Sequence, residues 1–489
     1  MTNTNTTKTL DALRAGVAGP VTRPDAAEDR AALAGFQLAQ QHRPAALVEA
    51  TSAADVRATV EFATAADLPV AVQATGHGRS VAIEGGVLIS TSRLTEIRID
   101  PRARTAWVAA GTNWGQVVEA AAEHGLAPLN GSAPNVGVVG YTLGGGSGLM
   151  ARRYGFAADH VRRIEIVTAD GRLREVDADH DPDLFWALRG AGMNFGVVTG
   201  IEIELFEIRR LYGGTLFFDT DLVGDVVDAY RDWTPTVPEE LTSSVVLLQM
   251  PDIPQVPEPI RGRYVARVHI AYTGDPETGE RLIAPLRAVG PTLLDSVRDL
   301  PYTDGGTIYD EPPMPHAYVG DNLRLRELDP AALREALAVV GPEARVMCIV
   351  DIRHQGGALA RDPEVANAVD RDEAPYLLRI LSPFSAEDAR TVADVQRRFF
   401  AAVGPWANGR SLNFIYRPGT STTAEELREI YGAANYERLT ELKATYDPAN
   451  TFRINHNITP AATRRDHDAV VPLHCGHVSD DLRALREPR

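Results

Sequence analysis

Residues 74–80 read Ala-Thr-Gly-His-Gly-Arg-Ser. The apolar run Leu68–Val72 leads straight into them, so the pattern predicts a buried strand ending in a glycine turn that carries an imidazole. Taken alone, His77 reads as a polar turn residue. Two more glycine-rich stretches follow outward from it. Residues 136–148 read Val-Gly-Val-Val-Gly-Tyr-Thr-Leu-Gly-Gly-Gly-Ser-Gly, and 189–200 read Arg-Gly-Ala-Gly-Met-Asn-Phe-Gly-Val-Val-Thr-Gly. Glycine permits positive φ and close approach of backbone to a ligand, and consecutive turn amides make a nest for anionic oxygens. Any one stretch is a tight turn; three of them, each beside a strand signal, point to a dinucleotide. The Rossmann spacing is absent from 144–149 and no Walker lysine is present, so another backbone arrangement is expected to hold the nucleotide.

The chain has 489 residues, 44% hydrophobic and 24% charged, with a formal net charge of −17. This is an ordinary globular composition with room for two or three cores. Its acidity argues against a nucleic-acid partner and against an anionic membrane surface. Cys348 and Cys475 lie far apart and outside any ligand spacing, so neither a disulfide framework nor a structural metal is expected. The polar opening lacks an apolar signal-peptide core, and no run is long enough to span a bilayer. A cytoplasmic protein is the expectation.

From Leu47 to Arg209 strand-like and helix-like segments alternate. Ser52 and Asn113 are placed to cap helices, Pro182 to begin one, and Ala169-Asp170-Gly171 to turn a hairpin. Residues 210–410 differ in texture: strand-like runs such as Arg-Tyr-Val-Ala-Arg-Val-His-Ile-Ala-Tyr (263–272) alternate with longer amphipathic stretches. They predict a second α+β unit on an antiparallel sheet. Strand and helix signals return over 411–460, and 461–489 form a charged tail.

The glycine segments, together with Arg-Tyr-Gly-Phe-Ala-Ala-Asp-His-Val (153–161), Asp-Leu-Phe-Trp-Ala-Leu-Arg-Gly (183–190) and the late Tyr431–Ile458 element, resemble the berberine-bridge-enzyme-like flavoprotein oxidases of the vanillyl-alcohol-oxidase superfamily. The resemblance spans roughly 40–460. It implies an α+β chain with a PCMH-type, two-subdomain FAD-binding domain over 40–209, completed by 411–460. A substrate domain over 210–410 is inserted between the two parts. It also implies that His77 is joined covalently to FAD, a reaction open to a neutral imidazole facing an electrophilic flavin methyl. Some relatives add a cysteinyl link, at a place occupied here by Ala133, so a single tether is expected. Tyr141 stands where the family often has histidine; a phenol donates a hydrogen bond near the flavin but supplies no cationic charge.

By the same resemblance Gly76, Gly78, Arg79, Ser80, Val136, Gly137, Gly140, Gly144, Gly145, Gly148, Gly196, Val198, Asn455 and Asn457 contact the cofactor. At the pyrophosphate, the amides of Gly76 and Gly78 are stronger candidates than the Arg79 and Ser80 side chains. Tyr431 is the expected catalytic base, and Asn413 and Tyr416 the expected substrate contacts. Tyr436 is expected in packing, and His316 and His354 in loop or core positions with a possible basic role. Lys443 reads equally as a solvent-facing helix charge or a structural ion pair.

The implied reaction removes a hydride from a C–H beside oxygen or nitrogen of a medium-sized alcohol, sugar or heterocycle. Dioxygen is then reduced to hydrogen peroxide, plausibly within secondary metabolism. A dehydrogenase using another acceptor, and a flavoprotein catalysing a non-redox cyclisation, are the alternatives.

Overall fold

The computed structural model describes residues 10–24, 33–371, 374–417, 419 and 422–462. The tail assigned to 461–489 therefore lies almost wholly outside the described residues, as does Cys475.

Three sheets organise the chain. The first contains β1 (Val21–Thr22), β2 (Ala46–Glu49), β3 (Val70–Gln73) and β4 (Val87–Ser90) in the order β1-β2-β4-β3. β2 and β3 both run parallel to β4, and β1 lies antiparallel on the edge. Two parallel strands need a crossover, which the helix Ala53–Ala65 supplies after β2. Ser52 caps it, with Oγ accepting from the Asp55 amide at 3.2 Å, and Val56, Val60 and Ala63 pack onto the sheet. Leu10 and Leu13 join this core and β1 pairs with β2, so this layer begins well before residue 40.

The second sheet contains β5 (Ile97–Asp100), β6 (Thr105–Ala109), β7 (Val161–Thr168), β8 (Leu173–Val176) and β9 (Gly196–Glu204), all antiparallel in the order β5-β6-β9-β7-β8. The β7–β8 hairpin turns through Asp170-Gly171, with Gly171 at φ 74°. Asn113 forms a capping box on the helix Trp114–Ala122, and Pro182 opens the helix Pro182–Leu188. Both helices bury their apolar faces against this sheet. Leu427, Ile430, Tyr431, Tyr436, Leu439 and Ile458 enter the same core from the far end of the chain.

The third sheet has eight antiparallel strands: β10 (Arg210–Phe218), β11 (Leu241–Gln249), β12 (Tyr264–Tyr272), β13 (Thr292–Asp295), β14 (Arg298–Pro301), β15 (Tyr318–Leu325), β16 (Ile349–His354) and β17 (Tyr376–Pro383). Their order is β13-β10-β12-β11-β16-β17-β15, with β14 also on β10. One face is covered by the helices Val223–Trp233, Pro276–Arg287, Pro330–Val340 and Ala389–Val403. Tyr230, Ile283, Leu333 and Phe399 pack there on Leu216, Val245, Val268, Ile352 and Leu378. Because side chains alternate along a strand, the intervening residues face the other way, into a large cavity.

Candidate active site

The cavity, about 980 Å³, lies between the glycine turns and the uncovered face of the eight-stranded sheet. That volume is at the upper end for small-molecule sites. His77 stands on its wall between Gly76 and Gly78, whose φ values are 70° and 64°. A Cβ on Gly76 would lie 2.5 Å from the Gly35 Cα, so neither the dihedral nor the space admits a side chain. The imidazole stacks on Phe36, with centroids 3.6 Å apart and planes 14° apart. Its Nε2 is 2.9 Å from the Asn135 Oδ1. Asn135 Nδ2 donates to the Pro313 carbonyl at 3.4 Å, which turns the amide oxygen towards the imidazole. Nε2 therefore carries the proton. Nδ1 keeps its lone pair, with no hydrogen-bonding partner among the described residues. Burial lowers the His77 pKa to about 4, against the opposing effects of Asn135 and Glu311, so the ring is neutral near pH 7.

Arg79 and Ser80 also line the cavity, yet both side chains are held by the protein. Arg79 donates to Gln73 Oε1 at 2.7 Å and to the Gln37 and Leu33 carbonyls, pinning the segment that carries Phe36. Ser80 Oγ donates to the Ile415 carbonyl at 2.6 Å and meets His456 Nε2 at 3.0 Å. Their structural work leaves close approach to an anion to the backbone of the turn.

Val136, Gly137, Gly140, Tyr141 and Gly144 line the cavity from the second glycine segment, and Gly196 and Val198 from the third. Gly145 and Gly148 do not. Gly145 packs towards Val369 and Phe156, and a Cβ on Gly148 would lie 1.9 Å from the Asn130 carbonyl oxygen, so these two serve chain packing. The Tyr141 ring is slotted between Gly131 and Gly146 and set edge-on to Trp114, at 5.4 Å and 85°. Its hydroxyl is buried without a hydrogen-bond partner among the described residues, and burial pushes the phenol pKa up. The expected donor to a cofactor thus reaches the cavity wall with its ring while its hydroxyl stays shut away.

Tyr431 corrects the sequence reading more sharply. It is 1% exposed, sits in the core of the second sheet and donates to the Ala191 carbonyl at 3.2 Å; it does not line the cavity. The helix Ala424–Tyr431 buries its Leu427, Ile430 and Tyr431 face, and Gly432 at φ 75° turns the chain immediately afterwards. Tyr436 packs in the same core, as expected. His354 is buried beside Tyr376 away from the cavity, and burial lowers its pKa to about 3. His316 does line the cavity, with Nδ1 bonded to the Met314 carbonyl.

The late element is closed by a buried charge. Lys443 is fully buried, and its Nζ donates to the Asn194 carbonyl at 2.5 Å, Asp447 Oδ2 at 2.7 Å and the Phe452 carbonyl at 3.1 Å. Burial lowers its pKa, with Asp447 opposing. Asp447 in turn accepts the Thr451 and Phe452 amides. This resolves the two readings of Lys443 in favour of the ion pair, which joins the third glycine turn to residues 447–452. Asn455 then reaches the cavity, donating to the Met193 and Phe452 carbonyls, whereas Asn457 does not line it. Between them His456 lines the cavity, held by Ser80 and by Thr422 Oγ1 at 2.6 Å; burial keeps it neutral, with a pKa of about 4.

On the sheet side, Asn413 Nδ2 donates to the Tyr141 carbonyl at 2.8 Å, and Tyr416 donates to the Asn413 carbonyl at 2.6 Å. Tyr318 meets Tyr416 edge-on and accepts the Gly78 amide at 3.2 Å. The sheet face adds residues that the sequence reading did not single out: Arg267, His269, Asp351, Arg353 and Arg379, with Tyr309 from the adjoining loop. Tyr309 stacks on His269 at 4.1 Å, and Ser244 Oγ lies 3.0 Å from both the Tyr309 hydroxyl and His269 Nδ1. The available signal was a polar or charged residue at every second position within otherwise apolar strands, as in Val265–Ile270 and Val350–Arg353.

These features fit FAD: two glycine turns and a short glycine-flanked helix, Val138–Leu143, that admit close approach, a neutral imidazole with a free lone pair, and space for a dinucleotide beside a second ligand. Among the described residues no cluster of metal-ligating side chains occurs, and no helix is long and apolar enough to cross a membrane.

Comparison with known proteins agrees. The family described as FAD binding domain matches residues 44–177, and that described as berberine and berberine like matches 425–459. The (R)-6-hydroxynicotine oxidase of Paenarthrobacter nicotinovorans is 30% identical over 445 residues, covering 86% of this chain and 92% of the relative. An FAD-linked oxidoreductase of Pyricularia oryzae is 30% identical, covering 82% and 81%. Among solved structures, 6-hydroxy-D-nicotine oxidase from Arthrobacter nicotinovorans superposes with a TM-score of 0.77 at 26% identity, covering 91% of this chain and 98% of that one. The xylooligosaccharide oxidase of Myceliophthora thermophila, solved with xylobiose, shares the fold with a TM-score of 0.78 at 22% identity, covering 93% and 99%. The chain belongs to the berberine-bridge-enzyme-like family of FAD-linked oxidases.

Proposed function

We propose that this protein oxidises a medium-sized alcohol, sugar or nitrogen heterocycle at a C–H beside oxygen or nitrogen, with dioxygen as the final acceptor, on an FAD tethered through His77 alone. The observation that carries this reading is His77 itself: a neutral imidazole with a free Nδ1, on the cavity wall between two left-handed glycines. FAD, when bound there, supplies a hydride acceptor at N5 and returns the electrons to dioxygen as hydrogen peroxide.

The chain's own residues supply attachment, position and proton handling. Nδ1 of His77 is the nucleophile for attachment, and Asn135 holds the required tautomer through Nε2. Ala133 lines the cavity where a cysteinyl tether would start, and Cys348 is buried in the sheet core with Ser382 as its neighbour. Phe217, Leu248 and Leu381 give the cavity apolar walls that exclude water from the reacting carbon. Tyr309 replaces Tyr431 as the candidate proton acceptor. Its hydroxyl meets Ser244, whose Oγ also meets His269 Nδ1. Burial raises the phenol pKa, and burial with Arg267 and Arg353 lowers that of His269, so the proton passes from Tyr309 through Ser244 to the neutral imidazole only as hydride loss drives it.

Two measurements on purified protein test the reading. Acid precipitation should leave the yellow colour in the pellet, with added mass on the His77 peptide. Anaerobic substrate should remove the flavin absorbance, which returns in air with peroxide formed. A flavin that loses its colour but recovers only with another acceptor marks a dehydrogenase; turnover without any colour change marks a non-redox reaction.

A further inference from the structure

The sheet face of the cavity carries an imbalance of charge. Strand register sets Phe217, Arg267, Val246, Asp351 and Arg379 opposite one another across β10, β12, β11, β16 and β17. The neighbouring row holds Thr215, His269, Ser244 and Arg353. Two guanidinium groups therefore share one carboxylate, and a third stands beside them. Asp351 Oδ2 takes Arg353 Nε at 2.8 Å and lies 3.6 Å from Arg379. Among the described residues Arg267 has no carboxylate within ion-pair distance. One of its nitrogens donates to the Tyr309 carbonyl at 2.7 Å, its Nε has no partner, and the group lies over Phe217 at 5.1 Å. Arg379 lies over Phe414 at 4.5 Å, and among the described residues its guanidinium has no hydrogen-bond acceptor beyond the long contact to Asp351.

Within the strands themselves three arginines face a single aspartate, in a protein whose net charge is −17. Asp310 and Glu311, exposed on the cavity wall, add carboxylate charges that act on Arg267, but neither forms an ion pair with it, and Glu311 accepts from the Ser132 hydroxyl. Arg267 and Arg379 are half-buried, and guanidinium donors left without acceptors in such a wall are costly. The planar fork of arginine is suited to a two-toothed contact with an oxyanion, and aromatic rings behind the guanidinium hold it in place.

We propose that Arg267 and Arg379 form an oxyanion subsite, so that the substrate carries a carboxylate or phosphate group that docks on the sheet face while its oxidisable carbon meets the flavin. This rests on the oxidase reading above and narrows it from alcohols and heterocycles in general to acidic ones.

The test is calorimetric titration of the purified flavin-containing protein with benzoate, phenyl phosphate and the neutral benzamide. Benzoate, phenyl phosphate or both should bind at least ten-fold more tightly than benzamide, and the stronger of the two identifies the anion. R267M and R379M should each lose ten-fold or more in that affinity while benzamide binding stays unchanged. Equal binding of the neutral and anionic probes overturns the subsite, as does unchanged anion affinity in both variants. The comparison of probes on the unsubstituted protein decides the matter even where a variant fails to fold. The heat signal does not depend on turnover, so a protein purified without flavin would sink the oxidase reading while leaving the subsite to be judged by the same titration.

Discussion

The two walls of the cavity are made of different material. The side proposed for the cofactor consists largely of backbone: glycine turns at 76–78 and 190–196 and the short helix Val138–Leu143 between Gly137 and Gly144, with side chains such as Arg79 and Ser80 turned inward to hold the first turn. The sheet side consists of side chains projecting from regular strands whose backbone is fully paired. A wall of backbone suits a ligand that never changes, because turn amides and close approach depend on φ and on the absence of a Cβ. A wall of side chains suits a ligand that varies between relatives, because one substitution on a strand alters charge or shape without disturbing the ladder. Damage to the first wall should therefore remove the cofactor, and damage to the second should change only what is oxidised.

The largest expected effect tests that division directly. H77A should yield protein whose colour leaves with the acid supernatant. G76A, with its Cβ 2.5 Å from the Gly35 Cα and a required φ of 70°, should be purified with little or no flavin. R379M, on the opposite wall, should keep a full complement of acid-stable flavin. If R379M were colourless, the two walls would not be separable.

Next in size is the joint between the third glycine turn and the late element. K443M removes one partner of a fully buried pair and strands Asp447, together with the Asn194 and Phe452 carbonyls. Breaking such a pair costs about 3–5 kcal/mol. The expected result is a matching fall in denaturant-unfolding free energy and a lowered flavin content, since Asn194 lies on the cavity wall. An unchanged midpoint would mean that the ion pair contributes nothing to closing that wall.

These two cases also show what the sequence could and could not reveal. The backbone wall was legible because its requirements are local: Gly76-His77-Gly78 and the run around Gly144 announce their own conformations. The capped helices were legible too, since Ser52 and Asn113 act on amides within three residues. The sheet wall was not, because Arg267, Asp351 and Arg379 become neighbours only through the pairing of β12, β11, β16 and β17. Tyr431 misled for a related reason. The family resemblance implied a place near the flavin, whereas the amphipathic face of its own helix draws it into the core, and Gly145 and Gly148 look like their neighbours yet serve packing. Lys443 could be settled only once the partners from 194 and 452 were in place.

A smaller effect sharpens the assignment of chemistry to the sheet side. Y309F keeps the stacked ring over His269 and removes only the hydroxyl that meets Ser244. Loss of a proton acceptor typically costs about 100-fold or more in rate. The expected outcome is kcat reduced by that factor with KM and flavin content nearly unchanged. A variant that instead raised KM alone would make Tyr309 a binding residue.

The smallest effect concerns the tether. The Asn135 oxygen accepts from Nε2 of His77, and loss of one neutral hydrogen bond costs about 1 kcal/mol. N135A should therefore slow acid-stable attachment by about 5-fold, when flavin-free protein is mixed with FAD. The pH profile carries the sign. Attack needs the neutral ring, and with the folded pKa near 4 the attachment rate should stay level from pH 8 down to pH 5. It should fall only as pH drops through about 4. The hydrogen bond to Asn135 favours the protonated ring, so its removal moves that acid limb lower still, never higher. A rate that declined through pH 6.5, the range of an exposed imidazole, would show that His77 is not held in the dry, neutral state on which the single tether depends.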